Sequence, residues 1–359
     1  PSLAFKDMAM QFLGHLLDYE LKRRNEKLCI LGASSGDTVS AAEEALKGKK
    51  QINVVMLTPK EGMSPFQKAQ AGSILDDNIL NVSVPGPFDI CQDIVKEINA
   101  DLEFKRKYKI GAVNSINWGR ILAQIIYYIS AYIQVTDNND QEIDVVVPTG
   151  NFGNILAGYY AKQMGIKIRR LIVATNENNV LHNFIQTGIY KQLDVHVTSS
   201  PSMDISKASN LERFLFDLSG KNDETLNNWM TEFNQNKQID LQIHLNDLKT
   251  SFNFDSGVAT HSERQETISA IYKSTKRIID PHTAAGIKVA KELSDNKKPM
   301  ICMETAKPSK FEATVNDAIG FIPERPEMFV DLEEKKQRFY DCEATSANIK
   351  KFIINKIKI

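Results

Sequence analysis

The stretch DVVVPTGNFGN, residues 144–154, runs from an apolar strand directly into the start of a helix. Gly150 and Gly153 lie in the turn, where they allow backbone N–H groups to point at an anion beside the positive end of the helix. The turn has neither the Gly-Lys-Ser/Thr ending of a Walker A loop nor the GxGxxG of a dinucleotide fold. On local sequence alone, a tight turn without a ligand explains the two glycines equally well.

Around this stretch, short runs of β-forming residues alternate with amphipathic helical patterns, which is typical of an α/β protein with largely parallel sheets. The predicted strands are 28–31, 53–57, 80–84, 144–148, 171–174 and 300–303. The predicted helices are 7–24, 38–46, 65–75, 88–108, 154–164, 180–186 and 310–319. We interpret the polar segment 137–142 as a passage between domains and the polar region 221–261 as a peripheral elaboration.

The composition is that of an ordinary globular chain: 359 residues, 25% charged and 42% hydrophobic, with a formal net charge of −1. Such a chain is long enough for two domains, and its charge balance provides no attraction to nucleic acid or to a membrane surface. No apolar run reaches the length of a membrane span, and no signal peptide is recognisable. The four cysteines form no CxxC pair; they are Cys29, Cys91, Cys302 and Cys342. We therefore expect reduced thiols in a cytoplasmic protein and no metal site.

A lysine close to the chain start, Lys6, follows a short extended stretch and precedes an apolar helix. A lysine buried in the first turn of such a helix would lose hydration and give up its proton more easily, and its neutral amine could then attack an aldehyde. Taken alone, the triplet 5–7 has a simpler interpretation, in which the lysine stem only covers apolar surface.

Polar side chains also cluster at two other helix starts. The turn 32–38 joins a strand to a helix and supplies three hydroxyls, although Asp37 or Thr38 could simply cap that helix. The segment 114–120 ends in Arg120, which could clamp a phosphate or a carboxylate, or equally could stabilise its own neighbourhood.

Near the C-terminal end, the segment 303–311 leaves a predicted strand and enters a helix. This order places Thr305 at the carboxyl edge of the sheet, where ligands collect in open α/β folds. His282 follows Pro281 and is interpreted as part of a helix start, since no histidine lies in an HExxH pattern.

Together, these segments resemble the threonine synthase family, a group of fold-type-II pyridoxal-phosphate enzymes, over essentially the whole chain. The similar segments, in the order of the family, are PSLAFKDMAMQ, SSGDTVSAA, NSINWGRILAQ, PTGNFGNILAGY, DPHTAAG and ETAKPSKF. The resemblance implies a two-domain α/β fold with largely parallel sheets flanked by helices. We expect a smaller domain at 28–132, a larger pyridoxal-phosphate-binding domain formed by 1–27 and 133–359, and the cofactor in the cleft between them.

The resemblance also implies a role for each matching residue. Lys6 is expected to be catalytic and to hold the cofactor covalently, Thr305 to meet the pyridine nitrogen, and Asp37 to lie near the phenolic oxygen. The cofactor phosphate is expected at the turn formed by Gly150, Asn151, Phe152, Gly153 and Asn154. The substrate is expected at Ser34, Ser35, Thr38, Asn114, Ser115 and Arg120, with its phosphate near Arg120 and Lys310 as a further candidate for that anion.

The implied reaction converts O-phosphohomoserine and water to threonine and phosphate, by elimination at the γ carbon and hydration at the β carbon. The Lys6 amine would move protons at the α and β carbons. Binding of the phosphate dianion, remote from the reacting carbons, would offset the cost of orienting the substrate.

Three departures from the family pattern are visible. Val39 replaces a glycine after the Ser-Gly-Asp-Thr turn, and Glu304 stands where the family commonly has a serine. Family members are expected to carry on the order of a hundred residues before the lysine motif, so a missing segment or a complementing chain is a further expected partner.

Two alternative functions stay open at this point. The first is a phospholyase of the threonine-synthase-like group, which eliminates phosphate without making threonine; such proteins tend to lose the pair that corresponds to Asn151 and Phe152, which is present here. The second is a non-catalytic fragment that binds pyridoxal phosphate, which the short front favours and the joint presence of Lys6, both turns and Thr305 opposes.

Overall fold

The computed structural model describes residues 2–33, 37–60, 65–86 and 88–357, without the side chains at positions 37, 39 and 88. The helices in these ranges are α1 Lys6–Arg24, α2 Asp37–Leu46, α3 Pro65–Gly72, α4 Phe88–Ala100, α5 Leu102–Lys107, α6 Trp118–Val135, α7 Gly153–Gln163, α8 Val180–Thr187, α9 Leu211–Leu218, α10 Asp223–Asn236, α11 Leu245–Thr250, α12 His261–Thr275, α13 Pro281–Leu293, α14 Glu312–Ile319 and α15 Ser346–Lys356.

The strands in the same ranges are β1 Leu28–Ala33, β2 Ile52–Pro59, β3 Ile79–Val84, β4 Ile110–Gly111, β5 Ile143–Pro148, β6 Ile168–Thr175, β7 Ile189–Lys191, β8 Gln238–Asp240, β9 Phe254–Val258, β10 Met300–Cys302 and β11 Tyr340–Asp341. The α/β class and the largely parallel sheets flanked by helices are therefore confirmed. In the described ranges, no helix combines the length and apolarity needed to cross a membrane.

Contacts within the chain group it into two compact units. Unit 1 is Pro1–Arg120 together with Arg325–Ile359, and unit 2 is Ile121–Glu324. This grouping differs from the expected smaller domain at 28–132, because α1 packs on α2 and α15 packs on α4, all within unit 1. Such contacts join segments that are far apart in sequence, so local patterns could not reveal them. The assignment of the cofactor to the larger predicted domain stays a prediction.

Unit 1 contains a sheet of five described strands in the order β11-β3-β2-β1-β4, all parallel. Successive residues of a strand point to opposite faces, so Ile30 and Leu31 of β1 enter two different cores. Ile30 belongs to the same buried cluster as Met10 and Leu13 of α1, whereas Leu31 belongs to the cluster that includes Ile349 of α15. Helices therefore cover both faces, as parallel sheets require.

Unit 2 contains a sheet of four described strands in the order β10-β5-β6-β9, again parallel, and a separate antiparallel pair formed by β7 and β8. Every residue of β5 is buried, which explains why this strand is apolar apart from Asp144 and does not alternate between apolar and polar residues. Because the strands run in one direction, the segments that follow β5 and β10 leave the sheet at the same edge.

Several element predictions were wrong in detail. The predicted helix 88–108 is interrupted at Asp101, whose side chain accepts a hydrogen bond from the Phe104 backbone N–H at 3.0 Å and so begins α5 as a new helix. The region 221–261 is more than a peripheral elaboration, because β9 pairs with β6 in the main sheet. The contacts group the segment 137–142 with unit 2, and its interpretation as a passage between domains stays a prediction.

Candidate active site

Two of the predicted cofactor segments meet at one edge of the unit 2 sheet. Cys302 of β10 lies in register with Val146 of β5, and the Met303 backbone N–H donates to the Val146 carbonyl at 3.0 Å. Gly150 follows β5 by two residues, and Thr305 follows β10 by three. Parallel pairing of these neighbouring strands therefore brings the turn and the threonine to the same end of the sheet.

The turn after β5 presents the start of α7 without a side-chain cap. Phe152, the residue before the helix, has φ 63° in the left-handed region. Its ring is buried and lies 6.0 Å from the Phe214 ring and 5.8 Å from the Phe254 ring, centroid to centroid, and these contacts hold the strained turn in place. Helix N–H groups that no side chain caps, next to a left-handed residue, form a suitable cradle for a phosphate.

The side chains of the two asparagines in this turn are already engaged within the protein. The Asn151 Oδ1 accepts a hydrogen bond from the Ser209 hydroxyl at 3.2 Å, and the Tyr128 hydroxyl lies 2.9 Å from Asn154 Oδ1 and 2.8 Å from the Asn154 carbonyl oxygen. These bonds engage the oxygen atoms and orient the two side chains, so the donors that the turn can offer an anion are its backbone N–H groups and the Nδ2 groups of the asparagines. The supporting residues Tyr128 and Ser209 were missed in the sequence, because no motif marks them.

Gly150 is required for a reason that the sequence could not show. A Cβ atom at this position would lie 2.3 Å from the Ser202 carbonyl oxygen, far inside the contact distance. Ser202 belongs to a short 3-10 turn, Pro201–Met203, that packs against the glycine. The glycine thus permits close approach of another backbone segment, in addition to any contact with a ligand.

Thr305 carries a buried hydroxyl that fits a ligand. The residue is 7% exposed, and its Oγ1 has no hydrogen-bond partner in the part of the chain that the structure describes. A buried hydroxyl without a partner costs about 1–3 kcal/mol, so a ring nitrogen that accepts a hydrogen bond from it would remove this cost. The preceding departure from the family, Glu304, is exposed and pairs with Lys307 at 2.7 Å.

Lys6 is the first residue of α1 in unit 1, one position earlier than the predicted helix start. It is half-buried, and its Nζ lies 4.9 Å from the centroid of the Phe5 ring. The entry into the helix is fixed by Ser2, whose backbone N–H donates to Asp7 Oδ2 at 2.8 Å. The lysine is therefore placed at a braced helix start rather than on a mobile tail.

The predicted substrate residues differ in exposure. Thr38 and Ser115 are half-buried and Asn114 is exposed in unit 1, whereas Lys310 is half-buried in unit 2. Arg120 is only 3% exposed, and its Nη1 donates to the Val113 carbonyl at 3.0 Å, which is the structural role that the sequence left open. Ser34, Ser35 and the side chains of Asp37 and Val39 lie outside the described residues.

A cavity of about 640 Å³ in unit 2 contains none of the predicted residues; it is lined by Glu177, His196, Val197, Thr198, Ser199, His261 and Arg264. Its main charges compensate each other, since Arg264 Nη1 lies 2.9 Å from Glu177 Oε2.

The cysteines do not form disulfides, and burial raises the pKa of Cys302 to about 12. No cluster of three metal-binding side chains occurs among the described residues.

Comparison with known proteins identifies the class of this fold and site. A family model described as "Pyridoxal-phosphate dependent enzyme" matches residues 1–241, and the uncapped α7 turn and the Thr305 hydroxyl fit that cofactor. The protein is thus a pyridoxal-phosphate-dependent enzyme. A second model, "Threonine synthase, C-terminal", matches residues 283–353. The chain belongs to the threonine synthase family.

Individual relatives agree with this membership. The chain is 48% identical to the threonine synthase of Corynebacterium glutamicum over 99% of its own length and 76% of the relative's. It is 49% identical to that of Methylobacillus glycogenes, with the same coverage. The crystal structure of PLP-bound threonine synthase from Brucella melitensis superposes with a TM-score of 0.96 at 37% identity, covering 100% of this chain and 77% of that one. The chain thus spans about three quarters of the length of these relatives.

Proposed function

We propose that this protein converts O-phosphohomoserine and water into threonine and inorganic phosphate, in the cytoplasm. The observation that carries the proposal is the buried Thr305 hydroxyl without a partner, at the same sheet edge as the uncapped start of α7. Family membership supplies the reaction type, since the relatives with 48–49% identity are threonine synthases.

In this proposal, bound pyridoxal phosphate supplies an electron sink for negative charge at the substrate carbons. The turn from Gly150 to Asn154 would hold its phosphate, chiefly through backbone N–H groups, and the Thr305 hydroxyl would donate a hydrogen bond to its ring nitrogen. Because a hydroxyl has little tendency to give up its proton completely, Thr305 would not protonate that nitrogen. Fixed dipoles of the protein then share the stabilisation of the developing charge.

The remaining residues act on the substrate. The Lys6 amine would hold the cofactor and, once released, would take a proton from the α carbon and then one from the β carbon. It would return protons at the γ carbon, as phosphate leaves, and at the α carbon, as water adds at the β carbon. Arg120 provides a positive charge for the leaving phosphate, with Asn114, Ser115, Thr38, Ser34 and Ser35 as further polar contacts. Asp37 is assigned to the phenolic oxygen and Lys310 to a secondary anion contact.

The phosphate turn favours synthase over phospholyase. The support comes from Asn151 and Phe152, the pair that the phospholyase group tends to lose. Both residues make defined contacts here: Asn151 accepts a hydrogen bond from the Ser209 hydroxyl, and the Phe152 ring packs among aromatic rings beside the turn. An intact turn of this kind supports retention of the cofactor orientation that hydration requires.

The proposal is tested by offering O-phosphohomoserine to the protein reconstituted with pyridoxal phosphate. Threonine and phosphate are expected in equal amounts, with consumption of one water per turnover. Phosphate accompanied by ammonia and 2-oxobutyrate, without threonine, would establish the phospholyase instead. Absence of the visible absorbance of a lysine-bound cofactor, in protein that is folded by circular dichroism, would contradict both enzymes and support a non-catalytic fragment.

A further inference from the structure

The first turn of α13 connects two parts of the proposed cofactor site that are distant in sequence. Asp280 caps this helix, and its Oδ1 lies 2.8 Å from His282 Nδ1. On the other side of the imidazole, the Ser202 backbone N–H donates to His282 Nε2 at 3.1 Å. Asp280 is fully buried and His282 is 2% exposed, so water does not compete for the bond between them, whereas the bond to Ser202 is only partly buried.

The hydrogen bonds fix the proton on the histidine ring. A backbone amide can only donate, so His282 Nε2 must accept from Ser202 and carries no proton. The proton of the neutral ring therefore lies on Nδ1, where it is donated to Asp280. The imidazole is thus a directed link between the carboxylate and the Ser202 turn.

The turn that contains Ser202 is in direct contact with the turn at Gly150, so a shift of the first would displace the second. The space next to the Gly150 α carbon is filled by the Ser202 carbonyl oxygen, which lies 2.3 Å from the position of a Cβ atom. His282 holds the N–H of the same residue whose carbonyl presses on Gly150. The other ring nitrogen of His282, Nδ1, is hydrogen-bonded to Asp280, which caps α13. The position of the Ser202 carbonyl against Gly150 therefore depends on the start of α13.

Thr283 forms the corresponding link to Thr305. The Thr283 hydroxyl donates to Asp280 Oδ2, and the Thr305 backbone N–H donates back to Thr283 Oγ1 at 3.4 Å. Helix α13 also packs tightly on the strand before Thr305, because a Cβ on Gly286 would lie 2.5 Å from Cys302 Sγ. Asp280 is therefore the shared acceptor for two side chains that lead to the two sides of the site.

We propose that His282 and Thr283 are positioning residues for pyridoxal phosphate. Through Asp280, His282 sets the Ser202–Gly150 contact on the phosphate side, and Thr283 sets the Thr305 backbone on the ring-nitrogen side. This inference rests on the proposed function, specifically on the assignment of the cofactor to Gly150 and Thr305. Neither positioning residue touches the reacting atoms.

The His282 link is tested with two substitutions that each keep one half of it. Asparagine can still donate to Asp280 but is too short to accept from Ser202, whereas the glutamine oxygen can reach the place of Nε2. In titrations of the cofactor-free protein, His282→Asn should raise the dissociation constant of pyridoxal phosphate about fivefold to tenfold and shift the phosphorus NMR signal of the bound phosphate. His282→Gln should stay within about threefold of wild type.

The Thr283 link gives an independent test if a His282 variant does not fold. Thr283→Val keeps the shape and removes the hydroxyl, so the visible absorbance maximum of the lysine-bound cofactor should shift, and Thr283→Ser should restore it. A wild-type absorbance maximum in Thr283→Val, or equal losses in His282→Asn and His282→Gln, would overturn the proposal. A lowered melting temperature with unchanged cofactor binding would also overturn it, since that outcome describes a purely structural role.

Two sets of controls separate this inference from the assignment beneath it. His182 is half-buried in the same unit, with Nδ1 3.1 Å from the Ser256 hydroxyl, and His182→Asn should leave the cofactor dissociation constant unchanged. Gly150→Ala and Thr305→Val test the site itself. If these two leave cofactor binding and absorbance unchanged, the proposed site fails; if they alter them while the His282 and Thr283 variants do not, only the positioning role fails.

Discussion

The two units each bury a carboxylate, but in different surroundings. Asp144 in unit 2 is fully buried at the start of β5, where Arg169 Nε donates to it at 2.8 Å and Arg170 Nη2 at 2.6 Å. Glu43 in unit 1 is equally buried in α2, and no cationic side chain pairs with it among the described residues. Burial raises the pKa of Glu43 well above its usual range; a hydrogen bond from the Asn81 side chain opposes this shift, and neighbouring Glu44 adds to it.

The difference shows that polar contacts near the predicted site residues are stronger in unit 2 than in unit 1. In unit 2 the strand that leads into the phosphate turn is fixed by ion pairs, and the turn itself by Tyr128 and Phe152. In unit 1 the comparable polar group carries no compensating charge, and Lys6 is only half-buried. Under the proposed function, the braced turn after β5 would bind the cofactor phosphate, and Lys6 would provide the reactive amine.

The largest expected effect separates these two roles directly. Lys6→Ala should lower kcat by roughly a hundredfold to ten-thousandfold, because the acid-base group is lost, while pyridoxal phosphate still binds through unit 2 without a covalent bond. Steady-state kinetics and cofactor content after gel filtration measure the two parts. Lys22→Ala, on the exposed part of the same helix, is the matched control and should behave as wild type. A Lys6→Ala variant with kcat within tenfold of wild type would remove the assigned role.

The next effect probes the compensated carboxylate. Asp144→Asn should lower the free energy of unfolding by about 3–5 kcal/mol, since it leaves Arg169 and Arg170 without their buried anion. Urea denaturation at pH 7 measures this loss. Asp295→Asn removes only a partly exposed partner of Arg169, at 2.7 Å, and should cost clearly less than Asp144→Asn. Equal costs for the two variants would show that burial does not set the strength of this network.

The stabilisation that Asp144 provides with Arg169 and Arg170 should also depend on pH. Burial alone would raise the pKa of Asp144, but the hydrogen bonds from Arg169 and Arg170 hold it below its ordinary value. A depressed pKa in the folded state means that the stabilisation is complete above the unfolded value, about 3.9, and is lost as pH falls through the folded value. The stability difference between wild type and Asp144→Asn should therefore shrink below about pH 4.

Arg120→Ala sharpens the assignment of substrate groups to unit 1. Loss of a charge-assisted contact worth about 1.5–3 kcal/mol should lower kcat/KM for O-phosphohomoserine by roughly ten- to 150-fold and leave the visible cofactor absorbance intact. Kinetics and melting temperature should be measured together, because Arg120 also donates to the Val113 carbonyl. Unchanged kcat/KM with a lowered melting temperature would mean that the arginine is structural.

Tyr128→Phe tests the bracing of the turn after β5. It leaves the buried oxygens of Asn154 without their donor and should cost about 1–3 kcal/mol of unfolding free energy, with weaker cofactor binding. The control Tyr132→Phe removes a hydroxyl that bonds to the carbonyl of Gln141 at 3.0 Å, away from the turn, and should not alter cofactor binding. Thermal melts with and without pyridoxal phosphate distinguish the two variants.

The smallest expected effect concerns Glu43. Removing this charge should stabilise the protein, whereas removing the charge of Asp144 should destabilise it. Because the pKa of Glu43 is raised in the fold, stability is greatest below the unfolded value, about 4.3, and falls as pH rises toward the folded value. Glu43→Gln should therefore stabilise unit 1 by about 1 kcal/mol at pH 8 and by less at pH 5. Glu44→Gln, whose carboxylate already pairs with Lys47 at 2.7 Å, should not show this gain. A destabilised Glu43→Gln variant at pH 8 would show that the acid is compensated in solution.

The sequence by itself determined the α/β class, most of the strands and helices, and the placement of Gly150 and Thr305 after strands. These features depend on local hydrophobic periodicity and on turn residues, which are written in consecutive positions. The break at Asp101 was also present locally, as an acidic residue before good helix formers, but was missed in favour of one long apolar pattern.

Only the tertiary structure decided the boundaries of the units, the place of β9 in the main sheet, and the residues that support the site. Ser202 lies 52 positions from Gly150, a separation read from the numbering, yet its carbonyl determines why that position is glycine. Tyr128, His282 and Thr283 likewise act through partners distant in sequence. Close packing and hydrogen-bond pairing between remote segments carry no local period, so they become visible only when the chain is folded.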